Sequence, residues 1–132
     1  MPTRKCHTWL GVLGLAVFLG TGLYMRHRFP GAYADDASVR YLYRANHAYI
    51  LLASLVHLAL GTGGPLDRIG WGRAMISTGS WFAIVAVPVL IWAFFTEPRH
   101  PDPFRPLTTL GIGALLLGVV LVAASAKQPR RA

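Results

Sequence analysis

The stretch that decides the fold is residues 107–126, LTTLGIGALLLGVVLVAASA, in which twenty consecutive residues carry no charge. An α-helix of that length, at ~1.5 Å per residue, reaches across the ~30 Å hydrocarbon core of a bilayer. Three further apolar runs of similar length precede it. The four runs occupy residues 8–25, 45–62, 74–95 and 107–126.

These runs predict helices because hydrocarbon offers no partner to an unpaired backbone group, and their residues do not alternate as barrel strands do. We expect one transmembrane domain over residues 1–132. Its fold class is all-α, a polytopic membrane protein with four transmembrane helices in an antiparallel up-down bundle. The expected helices are about 8–25, 37–62, 74–95 and 107–126.

Several residues set the expected ends of these helices. Pro30 and Gly31 predict a turn, and Asp35 or Asp36 is the expected N-cap of a second helix that begins at residue 37. Pro88 predicts a kink in the third helix. The proline-rich connection, residues 96–106, predicts a stiff spacer that exposes its charged residues to water.

The first run also resembles a signal peptide, since Arg4 and Lys5 precede it and residues 32–34 resemble a small-x-small cleavage site. Arg26, His27 and Arg28 separate the run from that site, and we therefore expect the first helix to be retained. The one cysteine, Cys6, excludes an intrachain disulfide and a dithiol motif.

The net charge of +8 lies at the ends of the apolar runs rather than along one face, which favours anionic lipid headgroups over nucleic acid as the partner. Orientation follows from Lys and Arg near the helix ends. With the amino terminus inside, seven basic residues lie inside and six outside. We therefore expect a bacterial inner-membrane location, with both termini in the cytoplasm.

Pairs of small residues four positions apart predict close packing of helices, either within the chain or between copies. The pairs are Ala16 and Gly20, Gly79 and Ala83, and Ala114 and Gly118.

Histidines within an apolar run are candidate functional residues, because ionisable groups are costly in a bilayer. His57 and His47 lie on the second helix, ten residues apart, and belong to different layers. Depth along the helices suggests His7 as the partner of His57 and His27 as the partner of His47. Two facing imidazoles could hold haem b or another tetrapyrrole; alternatively, each histidine makes a structural hydrogen bond.

A second candidate is a polar outer cluster where the second and third helices meet water. Its members are Arg40, Arg44, Asn46, His47, Glu97, Arg99 and Arg105. A Glu97 to Arg44 ion pair would fix the docking of the helix ends, and the cluster could instead bind an anionic headgroup or a quinone. A small proton-coupled transporter is disfavoured, since no Asp or Glu lies within an apolar run.

Three segments resemble a family of uncharacterised small bacterial inner-membrane proteins with four helices. They are residues 21–30, which contain TGLYMR and FP, residues 40–47, RYLYRANH, and residues 93–98, AFFTEP. The resemblance implies a bacterial origin and a polytopic fold over nearly the whole chain, and it implies no activity. The segments cluster on the side of the membrane that we assign to the periplasm.

We therefore expect a non-catalytic accessory subunit or assembly factor of a larger membrane complex, with the lipid bilayer and other membrane subunits as partners. The alternative is a b-type cytochrome or other tetrapyrrole-binding protein that uses His57 or His47. We expect no catalytic residues and no metal ligands.

Overall fold

The computed structural model describes residues 4–63, 70–99 and 104–126, which form four α-helices and no strand. The helices are α1 (Arg4–Ala32), α2 (Ala37–Thr62), α3 (Gly70–Thr96) and α4 (Pro106–Ser125), and a 3-10 turn, Glu97–Arg99, follows α3. All four helices are long and apolar enough to cross a membrane. The predicted all-helical class with four apolar helices is confirmed.

The turn expected at residues 30–31 is wrong, because α1 continues through Pro30 for two more residues. A proline so close to a helix end removes only one backbone hydrogen bond. Ring contacts also hold this end against α2. The rings of Phe29 and Tyr33 lie 5.9 Å and 5.4 Å from that of Tyr43, centroid to centroid.

α2 begins at the expected residue, and Asp36 is its N-cap. The Asp36 carboxylate accepts a hydrogen bond from the Val39 amide at 2.9 Å. At the other end of α2, the Gly63 amide donates to the Ala59 carbonyl at 2.9 Å. Side-chain and backbone caps therefore satisfy one orphan group at each end of this helix.

α3 runs as one helix through Pro88, and the chain then turns sharply instead of extending. The 3-10 turn buries Glu97 and Pro98, contrary to the expectation of a water-exposed spacer. Arg105, with φ of 41°, directs the chain into α4, where Pro106 occupies the first turn. Residues 100–103 of the expected spacer lie outside the described residues.

The helices pack as two pairs, α1 on α2 and α3 on α4, and the contact of α2 with α3 is less extensive. Along α1, Gly11 meets Leu58 and Gly14 meets Ser54. Further along α1, Thr21 meets His47. Residue numbers therefore rise on one helix as they fall on the other. The buried core between the pairs includes Tyr43, Ile50, Ala83, Ala86, Leu90, Phe94 and Leu115.

Glycines bring the backbones of α3 and α4 together. A Cβ on Gly118 would lie 2.6 Å from the Gly79 carbonyl oxygen and 3.0 Å from the Ala83 amide, and a Cβ on Gly79 would lie 2.6 Å from the Gly118 carbonyl. Ala114, one turn before Gly118, is partly buried against the core. This interface is too close for any side chain larger than hydrogen at either glycine.

α1 approaches α2 through different small residues from those singled out in the sequence. Ala16 and Gly20 are exposed, and nothing lies within 4 Å of a Cβ placed on Gly20. Gly11 and Gly14 face α2 instead, where a Cβ on Gly11 would lie 2.7 Å from Leu58 Cγ. Spacing alone identifies small-residue pairs without indicating which side of the helix meets its neighbour.

Gly118→Ala should destabilise the protein, because the new methyl group collides with backbone atoms of α3 that cannot move aside. Overpacking of this kind typically costs about 1–3 kcal/mol. Gly113→Ala is the matched control on the same helix, since nothing lies within 4 Å of its Cβ position. Thermal unfolding in detergent should show a lower Tm for Gly118→Ala alone; equal Tm values would contradict the packing described here.

Candidate functional site

Three groups of side chains make polar contacts between the described helices, while the buried residues Ser54, Ser80 and Ser125 lie outside these groups. The histidine pair comprises His7 and His57. The His47 contact comprises His47, Phe18 and Thr21. The Glu97 network comprises Asn46, Glu97, Arg105 and Thr108, which join α2, α3 and α4.

The histidine pair joins α1 to α2 near the beginning of α1. The two Nδ1 atoms are 2.8 Å apart, the ring centroids are 4.9 Å apart, and the planes differ by 28°. Both side chains are fully buried. His7 and His57, which were suggested as partners from their depth along the helices, are thus in direct contact.

The hydrogen bonds of the pair assign its protons. His57 Nε2 lies 3.1 Å from the Ala83 carbonyl, which can only accept, so His57 carries its proton on Nε2. With both rings neutral, His57 Nδ1 accepts and His7 Nδ1 donates. His7 Nε2 is then an unprotonated nitrogen, buried and without a hydrogen-bond partner among the described residues. The hydroxyl of Ser80 is likewise buried and has no partner among these residues.

This arrangement does not fit a haem held between the two rings. A bis-histidine haem needs one imidazole on each face of the macrocycle, with the iron between the two nitrogens. Here the rings stack on each other, and their facing nitrogens are already joined by a hydrogen bond. As placed, the pair acts as a polar link from α1 through α2 to the Ala83 carbonyl of α3.

His47 makes a different contact from the one expected with His27, which is exposed. His47 Nδ1 lies 2.9 Å from the hydroxyl oxygen of Thr21, and the ring stacks on Phe18 with centroids 3.9 Å apart. Thr21 donates its single proton to the Phe18 carbonyl at 2.9 Å, so it must accept from His47. Nε2 of His47 is therefore the unprotonated nitrogen, and no described residue bonds it.

Glu97 lies where α3 ends and α4 begins. Its Oε1 accepts from the Leu107 amide at 2.6 Å and the Thr108 amide at 3.0 Å. These are two of the N–H groups that a helix start leaves unpaired, and the positive end of α4 favours a carboxylate there. The other oxygen, Oε2, bonds the Thr108 hydroxyl and lies 3.7 Å from Arg105 Nε.

The expected Glu97 to Arg44 pair is therefore replaced by a pair with Arg105. Glu97 is only 8% exposed, whereas Arg44 is exposed on the surface of α2. The 3-10 turn after α3 causes the difference, because it brings the carboxylate beneath the first turn of α4. Arg105, directly before that turn, lies closer in space than any arginine of α2 that the sequence suggested.

Asn46 extends the Glu97 network to α2. Its Nδ2 donates to the Ala93 carbonyl at 3.0 Å, one of the last four carbonyls of α3. Its Oδ1 accepts from Arg105 and lies 2.9 Å from the Thr108 hydroxyl. Because Thr108 has one proton, it can donate to Asn46 or to Glu97 at a given moment. The network therefore ties three helices together at one end of the molecule.

The remaining arginines of the polar outer cluster bond elsewhere. Arg40 donates to the Ala34 carbonyl at 2.6 Å. Arg99 donates to the hydroxyl oxygens of Tyr43 and Tyr24 at 3.4 Å and 3.5 Å. The seven expected members thus do not form one cluster: three belong to the Glu97 network, His47 has its own contact, Arg99 lies beside two tyrosines, and Arg40 and Arg44 join none of these groups.

Sequence reasoning missed Thr21 and Thr108, two buried hydroxyl residues that bond His47 and Glu97. An isolated Thr or Ser in an apolar run was an available signal, because a buried hydroxyl requires a partner. It could not have identified which histidine or carboxylate that partner would be.

Comparisons of the chain with family models, curated proteins and solved structures found no match. The functional interpretation therefore rests on the geometry of the chain itself.

Glu97→Gln should destabilise the protein, because the amide loses the charge that faces Arg105 and the start of α4. Hydrogen bonds to a charged group contribute about 1.5–3 kcal/mol. Asp35→Asn is the matched control, since it removes one carboxylate from an exposed position. A Tm measured in detergent should fall for Glu97→Gln and stay level for Asp35→Asn; a level Tm for both would show that the network adds no stability.

Proposed function

We propose that this chain is an integral protein of the bacterial inner membrane that serves as a non-catalytic accessory subunit or assembly factor. Its four helices would cross the bilayer as an antiparallel up-down bundle. The observation that carries the proposal is the division of its surfaces: buried polar groups link one helix to another, while the outward faces are apolar.

Membrane insertion is supported by the large apolar side chains that face outward on every helix. Trp9 is 72% exposed, Leu19 65%, Leu55 50%, Trp92 64% and Leu110 66%. A water-soluble protein rarely exposes so continuous an apolar surface, whereas lipid tails match it. The antiparallel arrangement is supported by the opposite order of contacts along α1 and α2. It is also supported along α3 and α4, where Gly79 meets Gly118 and Leu90 meets Gly111.

The bilayer orientation that we propose follows the basic residues near the helix ends. Both termini would lie in the cytoplasm. The inner side would then carry Arg4, Lys5, Arg68, Arg73, Lys127, Arg130 and Arg131, and the outer side would carry Arg26, Arg28, Arg40, Arg44, Arg99 and Arg105. The Glu97 network would lie at the periplasmic end, and the histidine pair at the cytoplasmic end.

An accessory role is supported by the use of the intramembrane polar residues as links. His57 bonds His7 and the Ala83 carbonyl, and Asn46 bonds the Ala93 carbonyl. Such links fix one arrangement of helices, which suits a protein that presents a constant surface to a larger complex. The exposed small residues Ala16 and Gly20 on α1 would let a partner helix approach closely.

Site-specific photocrosslinking in native membranes tests this role. A photoreactive residue at Gly20 should yield one discrete product containing a different membrane protein, identified by mass spectrometry. The same residue at Gly113, an equally open position on α4, is the control. Loss of the product when Ala16→Leu is added to the protein that carries the photoreactive residue at position 20 would support a specific contact through this exposed small-residue face. A product with a second copy of the chain, or none at either position, would contradict the accessory role.

A second candidate function, binding of haem b or another tetrapyrrole, is favoured by one observation at His47. The Nδ1–H group of His47 donates a hydrogen bond to Thr21 and leaves Nε2 available, which is how a ligating histidine is usually oriented by its surroundings. Nε2 of His47 would be the atom that holds such a group. His57 is less suited, because both of its nitrogens are engaged.

An absorption spectrum of the purified protein decides between the two candidates. If the second is correct, a Soret band should appear that shifts on reduction, disappears in His47→Ala and persists in His27→Ala, the control at an exposed position. A colourless protein after expression with added haem precursor would exclude the tetrapyrrole.

A further inference from the structure

An open cleft of about 650 Å³ lies where α1 begins and α2 ends. Arg4, Lys5, Thr8, Trp9 and Gly61 line it. None of these residues belongs to the histidine pair, the His47 contact or the Glu97 network. The cleft therefore has no role in the links described above.

Arg4 is held in place on one side of the cleft. Its Nε donates to the Gly61 carbonyl at 3.1 Å, and its own carbonyl accepts from the Thr8 hydroxyl at 3.1 Å. A guanidinium has five N–H donors, so the terminal nitrogens remain available when Nε is engaged. A restrained arginine loses less conformational freedom on binding than a free one, and its planar group suits a phosphate.

The charge of the cleft is uncompensated within the part of the chain that the structure describes. Arg4 and Lys5 contribute two positive charges to its lining. The carboxylates of the described residues, Asp35, Asp36 and Glu97, belong to the opposite end, where α1 finishes and α3 meets α4. Among the described residues the lining is thus basic, which favours a ligand that brings negative charge.

The lining also has an apolar part. The Trp9 side chain is 72% exposed beside the two basic residues. Tryptophan at the end of an apolar helix favours the level of the headgroups, where its ring meets the first carbons of the lipid chains. A ligand of the cleft would therefore combine an anionic group with hydrocarbon.

We propose that this cleft binds an anionic phospholipid, whose phosphate is recognised by Arg4 and Lys5 and whose glycerol region packs on Trp9. The inference rests on the proposed membrane insertion and adds a specific lipid ligand to it. A free phosphate shares the recognised group but lacks the hydrocarbon part, so the two sources can be separated.

Native mass spectrometry of the detergent-solubilised protein tests the proposal. Phosphatidylglycerol should bind more tightly than phosphatidylcholine, and an excess of inorganic phosphate should not displace it. Replacing both basic residues, as Arg4→Gln with Lys5→Gln, should weaken phosphatidylglycerol binding by roughly tenfold to thirtyfold, the factor expected when two basic groups near an anionic headgroup are lost. Arg26→Gln with Arg28→Gln, at exposed positions of α1, is the matched control and should bind as the unaltered protein does.

Lys5→Gln alone covers the case in which the double variant fails to fold, because Arg4 then keeps its bond to Gly61; it should weaken binding severalfold at an unchanged Tm. Equal binding of the two lipids, displacement by phosphate, or equal losses in both double variants would overturn the proposal. Failure of the membrane assignment has a separate signature. The protein would then stay in solution as a monomer after the detergent is removed.

Discussion

The structure depends on one constraint: a buried polar side chain that its own helix does not satisfy must find its partner on another helix. Two polar side chains of α2 satisfy this constraint through hydrogen bonds to α3. His57 donates to the Ala83 carbonyl and Asn46 donates to the Ala93 carbonyl, so two hydrogen bonds from one helix span its neighbour. They lie where apolar packing is less extensive, between the α1/α2 pair and the α3/α4 pair. Close glycine contacts build each pair, and polar groups join the pairs.

The number and class of the helices could be predicted from the sequence because a run of about twenty uncharged apolar residues has few alternatives. Their ends were less predictable. Pro30 signals a break, but a proline in the last turn removes only one backbone hydrogen bond, and aromatic contacts with Tyr43 hold this last turn against α2. Tertiary contacts of this kind leave no local mark in the sequence.

The contact partners in the candidate site could be predicted where they depend only on depth along the helices. They could not be predicted where a turn separates the residues. His7 and His57, which depth along the helices suggested as partners, are in contact. Glu97 was expected to face water beside Arg44, yet a single 3-10 turn placed it under α4 with Arg105. Partners that follow a turn depend on its exact geometry, which the residues of a proline-rich connection do not specify.

The pairing of consecutive helices has a consequence for how the chain is made. Since α1 packs chiefly on α2, most contacts of the first pair join segments that leave the ribosome one after the other, and the same holds for the second pair. Domains assemble during synthesis in order of emergence, and contacts that are local in sequence form fastest. The first pair can therefore be complete before α4 is synthesised. The hydrogen bonds that Asn46 and His57 donate to carbonyls of α3 must wait for that helix.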